Sequence, residues 1–316
     1  MSPLLSVQGV TVQYPVGKSG RLTAVDDVSL DLEAGRTLGL VGESGCGKSS
    51  LGRVIAGIRV PTAGRIVVDN CEMTPRRSKA EARAIQMVFQ DPASALNPAI
   101  SIGSMLEELV RVHGLAPDRE SARDRAIAVL ESVELPTALL DRRPDALSGG
   151  QRQRVGIARA LILQPRVIVA DEAVAALDSL VKKSVIRLLA DVRDRLGVAI
   201  IFISHDLDVV RQLCDEIAVM YLGRIVERHS SSDLFNSPRH PYSKALLEAR
   251  PHFGERLDVA SPPALAGDPP SQMELTTGCS FAPRCRFVKD ECRSTDPVEE
   301  SFGGSSTVRC HFPLSR

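Results

Sequence analysis

The chain has 316 residues, and its 39 lysines and arginines balance its 39 aspartates and glutamates, so its formal net charge at pH 7 is zero. This balance argues against a protein that wraps nucleic acid by neutralising phosphates, and nucleic acid is not expected as a partner. The first residues form no basic, apolar leader, and no apolar run approaches the roughly 20 residues that span a bilayer. We therefore expect a cytosolic chain that is not itself a pore, with one large α/β core and a smaller appendage.

Apolar and polar residues alternate at the start of the chain, from about residue 4 to residue 33. This period of two predicts antiparallel strands. The insert from Pro15 to Thr23 contains two glycines and two basic residues, and it predicts a loop between the strands. Tyr14, one of three tyrosines, comes just before this loop.

A glycine-rich loop follows the apolar run at residues 37–41, and residues 42–49 fill every fixed place of the G-x-x-x-x-G-K-[ST] motif. Its glycines let backbone N–H groups surround the β- and γ-phosphates while a helix N-terminus points at the same anion. Lys48 supplies a point charge, and the Ser49 hydroxyl suits Mg²⁺. The pattern predicts that a nucleoside triphosphate binds to these residues: Gly42, Ser44, Gly45, Cys46, Gly47, Lys48, Ser49 and Ser50.

The middle of the chain changes from strand to helix. Residues 84–89 predict a strand that ends before Gln90, and the apolar spacing at residues 105–110 and 123–135 predicts helices. We expect residues 91–145 to be mainly helical.

A second apolar strand, at residues 166–172, ends in Asp171 and Glu172. A buried strand with two acids at its carboxyl end presents one acid to Mg²⁺ and the other to water. The segment Leu147-Ser148-Gly149-Gly150-Gln151 precedes this strand and opens a helical pattern. Further on, the spacing predicts a helix from Ser179 to Leu196, and a buried strand follows at residues 198–204.

Together these motifs resemble the ATP-binding-cassette (ABC) ATPases over essentially the whole chain. The resemblance implies an α/β P-loop NTPase fold, the ABC-type nucleotide-binding domain, with a RecA-like core, an antiparallel β subdomain and a helical subdomain. It assigns residues 1–90 and 146–228 to the ATPase core, residues 91–145 to the helical subdomain and residues 229–316 to a C-terminal extension. ATP and Mg²⁺ are the implied cofactors.

The resemblance also implies catalytic roles. Glu172 would position or deprotonate the attacking water, Gln90 would reach that water and Mg²⁺, and His205 would hydrogen-bond the γ-phosphate. Asp171 would hold the metal together with Ser49. Tyr14 is the implied adenine-stacking residue.

One cassette does not complete such a site. Ser148 and Gly149 of the signature loop are expected to contact the nucleotide held by a second cassette, with Gly150, Gln151 and the D-loop residue Asp178 also in the site. Two departures stand out, because importers of this group usually have proline after the catalytic glutamate and serine in the D-loop, where this chain has Ala173 and Ala175. We expect one of the two composite sites to turn over more slowly.

The C-terminal segment beyond the core adds a second resemblance. Residues 235–247 closely resemble the segment after the core in dipeptide, oligopeptide and nickel importers, and a proline-rich linker with Pro262-Pro263 and Pro269-Pro270 follows. Beyond it, Cys279, Cys285, Cys292 and Cys310 have the spacing C-x5-C-x6-C-x17-C, which does not match the C-x2-C knuckles of structural zinc sites.

Four thiolates suit a [4Fe–4S] cluster, and similar tails in peptide-importer ATPases can carry one; zinc and free thiols are the alternatives. Because the tail has few large apolar residues, we expect the cluster to staple it. We also expect this segment to lie far from the phosphates.

The leading functional hypothesis is the energy-coupling ATPase of a di- or oligopeptide importer, at the cytoplasmic face of the membrane. Its expected partners are a second ATPase subunit, two transmembrane permease subunits and an extracellular solute-binding protein. A nickel or other small-solute importer remains open because the tail is shared. A cassette serving DNA repair or translation, and an exporter, are less consistent with a single uncharged cassette bearing this tail.

Overall fold

The computed structural model describes residues 2–17, 20–249, 267, 277–303 and 306–315. The predicted proline-rich linker, with Pro262-Pro263 and Pro269-Pro270, lies outside the described residues.

Two sheets organise the described chain. A four-stranded antiparallel sheet has the order β2-β1-β4-β5, and an eight-stranded sheet has the order β11-β12-β10-β9-β3-β8-β7-β6. The strands are β1 Leu5–Val16, β2 Gly20–Leu32, β3 Thr37–Val41, β4 Ala63–Val68, β5 Cys71–Glu72, β6 Ile85–Val88, β7 Val167–Asp171, β8 Ala199–Ile203, β9 Glu216–Tyr221, β10 Arg224–Ser230, β11 Glu299–Ser301 and β12 Thr307–Arg309.

Helices connect most of these strands. The helices are α1 Lys48–Ile55, α2 Lys79–Ala84, α3 Pro92–Ala95, α4 Ile102–Val112, α5 Arg119–Ser132, α6 Gly149–Leu161, α7 Ser179–Leu196, α8 Leu207–Leu213, α9 Ser231–Asn236, α10 Pro241–Glu248 and α11 Asp290–Ser294. Short 3-10 turns occur at Thr137–Asp141, Pro144–Ala146 and Ala282–Arg284.

The centre of the large sheet is parallel and fully buried. β3 pairs with β8 and β9, and β7 pairs with β6 and β8, all in parallel. Every residue of β3, β7 and β8 is buried, as expected for β-branched and aliphatic runs covered on both faces. Ligands of such sheets bind beyond the carboxyl ends of the strands, and both the predicted phosphate loop and the two predicted acids lie there.

The antiparallel sheet differs from its prediction at one point. β1 and β2 pair as far as Val16 with Gly20, through most of the segment predicted as a loop from Pro15 to Thr23. Cross-strand pairing therefore overrides the local turn composition. The predicted helical region contains α3, α4 and α5, and α4 and α5 join the main core through buried side chains such as Leu106 and Leu130.

The expectation that the cysteine-containing tail lies far from the phosphates is wrong. Its strand β12 pairs with β10 of the large sheet, where Glu227 is opposite Val308. Phe281 of the tail is buried in the main core, within 5.3 Å of the Tyr221 ring centroid. Phe281 thus adds to an existing core, whereas Phe287 and Phe302 are exposed.

Candidate nucleotide site

The predicted phosphate loop connects the end of β3 to the start of α1. Gly42 and Gly47 have φ angles of 152° and 110°. A Cβ atom at Gly42 would collide with the Met220 carbonyl oxygen, and one at Gly47 with the Ala24 carbonyl oxygen. Both positions therefore require glycine for backbone conformation and for space.

Lys48 is buried inside this loop. Its Nζ donates hydrogen bonds to the carbonyl oxygens of Gly42 and Glu43 at 2.9 and 2.8 Å, and it lies 3.6 Å from the Cys46 sulfur. Burial raises the pKa of the Cys46 thiol, so this thiol is neutral beside the ammonium. The loop is thus wrapped around one fixed positive charge.

Ser49 connects the loop to the neighbouring strand. Its hydroxyl donates a 2.8 Å hydrogen bond to Asp171 Oδ1 at the end of β7. Burial raises the pKa of Asp171 even though this hydrogen bond opposes the shift. A buried carboxylate whose charged form is disfavoured, next to a hydroxyl, is an arrangement that a cation would stabilise.

A cavity of about 540 Å³ opens above the loop and brings together most of the predicted site. Leu22 and Ala24 of β2 complete its wall. The predicted residues that line it are Tyr14, Ser44, Gly45, Gly47, Lys48, Ser49, Ser50, Gln90 and Glu172.

Tyr14 lies at the rim of this cavity and is supported from two sides. Its hydroxyl is 3.1 Å from the Ser50 hydroxyl, and the Arg59 guanidinium lies 3.8 Å from its ring centroid. Arg59 also donates to the Gln13 carbonyl oxygen at 2.9 Å, which fixes the cation over the ring. An aromatic face held in this way is suited to stack on a planar base.

The second predicted acid, Glu172, follows β7 with a φ angle of 46°, which is unusual for a residue other than glycine. Its N–H donates to the Ile203 carbonyl oxygen at 3.0 Å, so the turn is held against β8. His205, which follows β8, places Nδ1 3.4 Å from Glu172 Oε1, and its side chain is 63% exposed. The imidazole thus lies beside the carboxylate that lines the cavity.

The five predicted residues of the signature loop and D-loop do not line this cavity, and neither do Gly42, Cys46, Asp171 and His205. Ser148 and Gln151 form a reciprocal capping box at the start of α6, and Asp178 caps α7 by accepting from the N–H groups of Leu180 and Val181. The others are Gly149 and Gly150. A Cβ atom at Gly150 would meet Val181, whereas one at Gly149 would meet nothing within 4 Å.

The sequence analysis missed Glu43 within the loop and the two residues that hold it from outside, Tyr242 and Arg284. The backbone N–H of Glu43 donates to the Tyr242 hydroxyl at 2.9 Å, and the Arg284 guanidinium binds both Glu43 carboxylate oxygens at 2.7 and 3.0 Å. Glu43 occupies a variable place of the motif, and its partner lies 241 residues away. No local pattern in the sequence signals this pair.

The four tail cysteines line one small cavity of about 10 Å³, together with aromatic residues that include Phe281 and Phe312. Burial raises the pKa of Cys279, Cys285 and Cys310, the last to about 12, and nearby thiols add to each shift. Among the described residues, no group of three or more His, Cys, Asp or Glu side chains is placed to hold a metal ion.

A second groove, of about 610 Å³, lies at the opposite ends of β3 and β9. Four of the charged residues that line it already form ion pairs, Arg36 with Asp215 and Arg228 with Glu216. The carboxyl edge of the sheet therefore remains the better candidate for the reaction site.

Comparison with known proteins agrees with this geometry. Residues 25–175 match the family model described as ABC transporter, and residues 226–292 match the model for the oligopeptide/dipeptide transporter C-terminal region. The dipeptide transport ATP-binding protein of Haemophilus influenzae is 41% identical over 98% of this chain and 96% of its own length. The chain belongs to the ATP-binding proteins of the oligopeptide/dipeptide ABC transporter family. It is an ATP-hydrolysing transport ATPase.

Other relatives of this ABC ATPase cover nearly its whole length. The dipeptide transport ATP-binding protein of Escherichia coli K12 is 42% identical over 96% of this chain and 92% of its own. A putative peptide import ATP-binding protein of Brucella ovis is 44% identical over 94% and 93%.

Solved structures resemble the core of this ABC ATPase. An ATP-binding cassette dimer in a post-hydrolysis state, bound to ADP and Pi, has a TM-score of 0.64 at 30% identity and covers 72% of this chain and 98% of its own. The protein cbiO1 from Clostridium perfringens, part of an ABC transporter complex, has a TM-score of 0.66 at 28% identity, covering 75% and 92%. Within the described residues of this chain, no helix combines the length and apolar character needed to cross a membrane.

Proposed function

We propose that this chain hydrolyses ATP to drive the import of di- or oligopeptides. The observation that carries the proposal is the near-complete overlap with relatives named for dipeptide transport, together with the match of residues 226–292 to the oligopeptide/dipeptide C-terminal region. The chain acts at the cytoplasmic face of the membrane. It works with a second ATPase subunit, two permease subunits and an extracellular solute-binding protein.

Lys48, Ser49 and Asp171 bind the triphosphate and its metal in this proposal. The loop N–H groups and the Lys48 ammonium orient the phosphates, and the Ser49 hydroxyl and the Asp171 carboxylate hold Mg²⁺. The donor set fits this ion, because Mg²⁺ prefers hard oxygen ligands and a buried carboxylate whose pKa is raised gains from a nearby cation. Bound Mg²⁺ supplies positive charge that balances the transferred phosphoryl group.

Glu172 acts on the attacking water. Its position at the cavity, with His205 3.4 Å away, supports roles for Glu172 as general base and for His205 as the residue that hydrogen-bonds the γ-phosphate. Gln90 lines the same cavity and orients the water, and Tyr14 stacks on adenine. The remaining loop residues, Gly42, Ser44, Gly45, Cys46, Gly47 and Ser50, surround the phosphates.

The signature loop completes the site of a second cassette. Its residues Ser148 and Gly149 are absent from the cavity of their own chain, which supports action in trans. Gly150, Gln151 and Asp178 shape the same surface. Ala173 and Ala175 replace residues usual in such importers, and we infer that one composite site of the dimer turns over more slowly for this reason.

The same proposal includes a [4Fe–4S] cluster on Cys279, Cys285, Cys292 and Cys310. Support comes from the position of all four cysteines around one apolar cavity and from the softness of thiolate ligands, although the described side chains are not arranged around a metal ion. Zinc and free thiols remain the alternatives. The proposed division of the chain is a core of residues 1–90 and 146–228, a helical subdomain of residues 91–145 and an extension of residues 229–316.

Purification of the tagged chain from detergent-solubilised membranes tests the function. We expect two permease subunits and a second ATPase to co-purify, and we expect ATPase activity of the reconstituted complex to rise with a dipeptide-loaded binding protein. Stimulation by nickel or another small solute instead would identify the alternative importer. Recovery of the chain without any membrane subunit would contradict the transport proposal.

A further inference from the structure

The C-terminal extension contacts the phosphate loop directly. Glu43 is the second residue of this loop, and both of its partners outside the loop belong to the extension. They are Tyr242 in α10 and Arg284 in the segment that contains the four cysteines, residues 279–310, called the cysteine segment below. The Arg284 side chain is only 5% exposed and that of Glu43 is 22% exposed, so solvent screens their ion pair weakly.

The side chains of three residues form hydrogen bonds with Glu43. Its carboxylate accepts two hydrogen bonds from the Arg284 guanidinium, and its N–H donates to the Tyr242 hydroxyl. Its carbonyl oxygen accepts from Lys48 Nζ at 2.8 Å. Glu43, which the extension holds, is therefore also the residue that orients Lys48.

Packed aromatic rings connect these contacts with Glu43 to the cysteine segment. Tyr221 and Tyr242 have ring centroids 4.6 Å apart, and Phe281 lies 5.3 and 5.4 Å from them. Phe281 and Arg284 both lie between Cys279 and Cys285 in the chain. A short series of packed side chains thus connects the cysteine segment to Glu43.

We propose that Arg284 and Tyr242 are positioning residues for the phosphate loop, so that the C-terminal extension sets the affinity of the ATPase for nucleotide. Neither residue lines the cavity above the loop. They act by holding Glu43, and through it Lys48, in the arrangement that receives the β- and γ-phosphates. The proposal rests on the assignment of residues 42–49 as the phosphate site.

Three single variants test it: Arg284→Gln, Glu43→Gln and Tyr242→Phe. Equilibrium binding of a fluorescent ATP analogue should weaken about tenfold for the first two and about threefold for the last, which removes one neutral hydrogen bond and keeps the packing. In the assembled transporter, KM for ATP should rise while kcat at saturation changes less than twofold. Arg293→Gln, a change at an exposed arginine of the same segment, should leave binding unchanged.

A double variant shows whether the two charges act through each other. If Arg284 acts by holding Glu43, Arg284→Gln with Glu43→Gln should bind the analogue no more weakly than either single variant. Losses that multiply would overturn the proposal. So would wild-type binding by Tyr242→Phe and Glu43→Gln, which decide the question even if Arg284→Gln fails to fold.

Lys48→Ala separates this inference from its premise. If Lys48→Ala binds the analogue normally, the assignment of the phosphate loop is wrong and the inference fails with it. If Lys48→Ala loses binding while the Arg284, Glu43 and Tyr242 variants retain it, the loop assignment stands and only the positioning role is wrong.

Discussion

At the scale of single residues, Lys48 is the charge on which the proposed nucleotide site depends most. Its ammonium is buried and already held by two loop carbonyls, so little reorganisation precedes phosphate binding. We expect Lys48→Ala to lower kcat/KM for ATP by at least about 100-fold. The exposed Lys183 provides the matched control, and Lys183→Ala should leave phosphate release by the assembled transporter unchanged. Unchanged ATPase activity in Lys48→Ala would refute the assignment.

Glu172 has a different role, because its carboxylate is assigned to water and not to nucleotide. Glu172→Gln preserves size and removes the base, so ATP should still bind while hydrolysis stops and a closed cassette dimer accumulates. Size-exclusion chromatography with ATP measures the dimer, and phosphate release measures turnover. Glu108→Gln, at an exposed helical position, is the control. Wild-type hydrolysis by Glu172→Gln, with the partner cassette also inactivated, would show that another group activates water.

His205 is close enough to Glu172 to act on the same reaction. Because its side chain is largely exposed, replacing it removes little packing. We expect His205→Ala to slow hydrolysis with little change in ATP affinity. Equal losses of rate and affinity, measured by turnover and by equilibrium binding, would instead indicate a structural histidine.

At the scale of secondary-structure elements, the junction of β10 with α10 contains buried titratable groups that include Glu227, His229 and His240, and the pKa values of Glu227 and His240 are shifted. Burial opposes ionisation of Glu227, but His229, Ser243 and the N–H groups of Arg239 and His240 outweigh this effect and hold its pKa below its ordinary value. Burial lowers the pKa of His240 to about 4, so its ring is neutral and accepts the Tyr242 N–H at the start of α10. Both folded pKa values lie below those of the unfolded chain.

The sign of the pH dependence follows from these shifts. The unfolded chain binds protons more readily, so His240 contributes stability that is complete above pH 6.5 and is lost as the pH falls through about 4. We expect the free energy of unfolding to fall between pH 7 and pH 5, by at most about 1.4 kcal/mol per pH unit from this residue. Urea unfolding at several pH values measures the slope. His240→Asn keeps a capping acceptor without the titration and should flatten the slope; an unchanged slope would contradict this origin.

Local sequence signals predict those elements that are formed by interactions between residues close in the chain. The helix predicted from Ser179 to Leu196 is α7, and Gly197 ends it with a φ angle of 65°. The hairpin of β1 and β2 was mispredicted because its strands are held by each other, although the insert has the composition of a turn. The capping role of Gln151 was also missed. Ser148 and Gln151 were interpreted only as part of a nucleotide-contacting motif, although the same two residues form a capping box.

At the scale of the whole molecule, the cysteine segment is part of the main fold. We expect anaerobically purified protein to be brown, with about four irons per chain and a broad charge-transfer absorption. Single Cys→Ser variants, for example at Cys292, should lose iron, whereas Cys71→Ser, at an exposed cysteine outside the cavity, should not. Iron analysis and absorption spectroscopy measure this. Colourless protein containing zinc or no metal would contradict the cluster.

The order of motifs along the chain was enough to predict the ABC-type fold and most of the residues that line the nucleotide cavity. The docking of the extension could not be predicted in this way. It depends on Arg284 meeting Glu43 and on Phe281 meeting Tyr221, and such pairs leave no periodicity in a single sequence. We therefore do not expect nucleotide binding to be independent of the tail, because tail residues contact the phosphate loop.

The sequence separation of 241 between Glu43 and Arg284 also has a consequence for synthesis on the ribosome. The phosphate loop is among the first segments to emerge, yet its contacts are completed only when nearly all of the chain has left the exit tunnel. A nascent or prematurely terminated chain lacks Arg284, and with it the ion pair that fixes Glu43. The phosphate loop of the ATPase therefore cannot be fully formed until the ribosome has made the C-terminal extension.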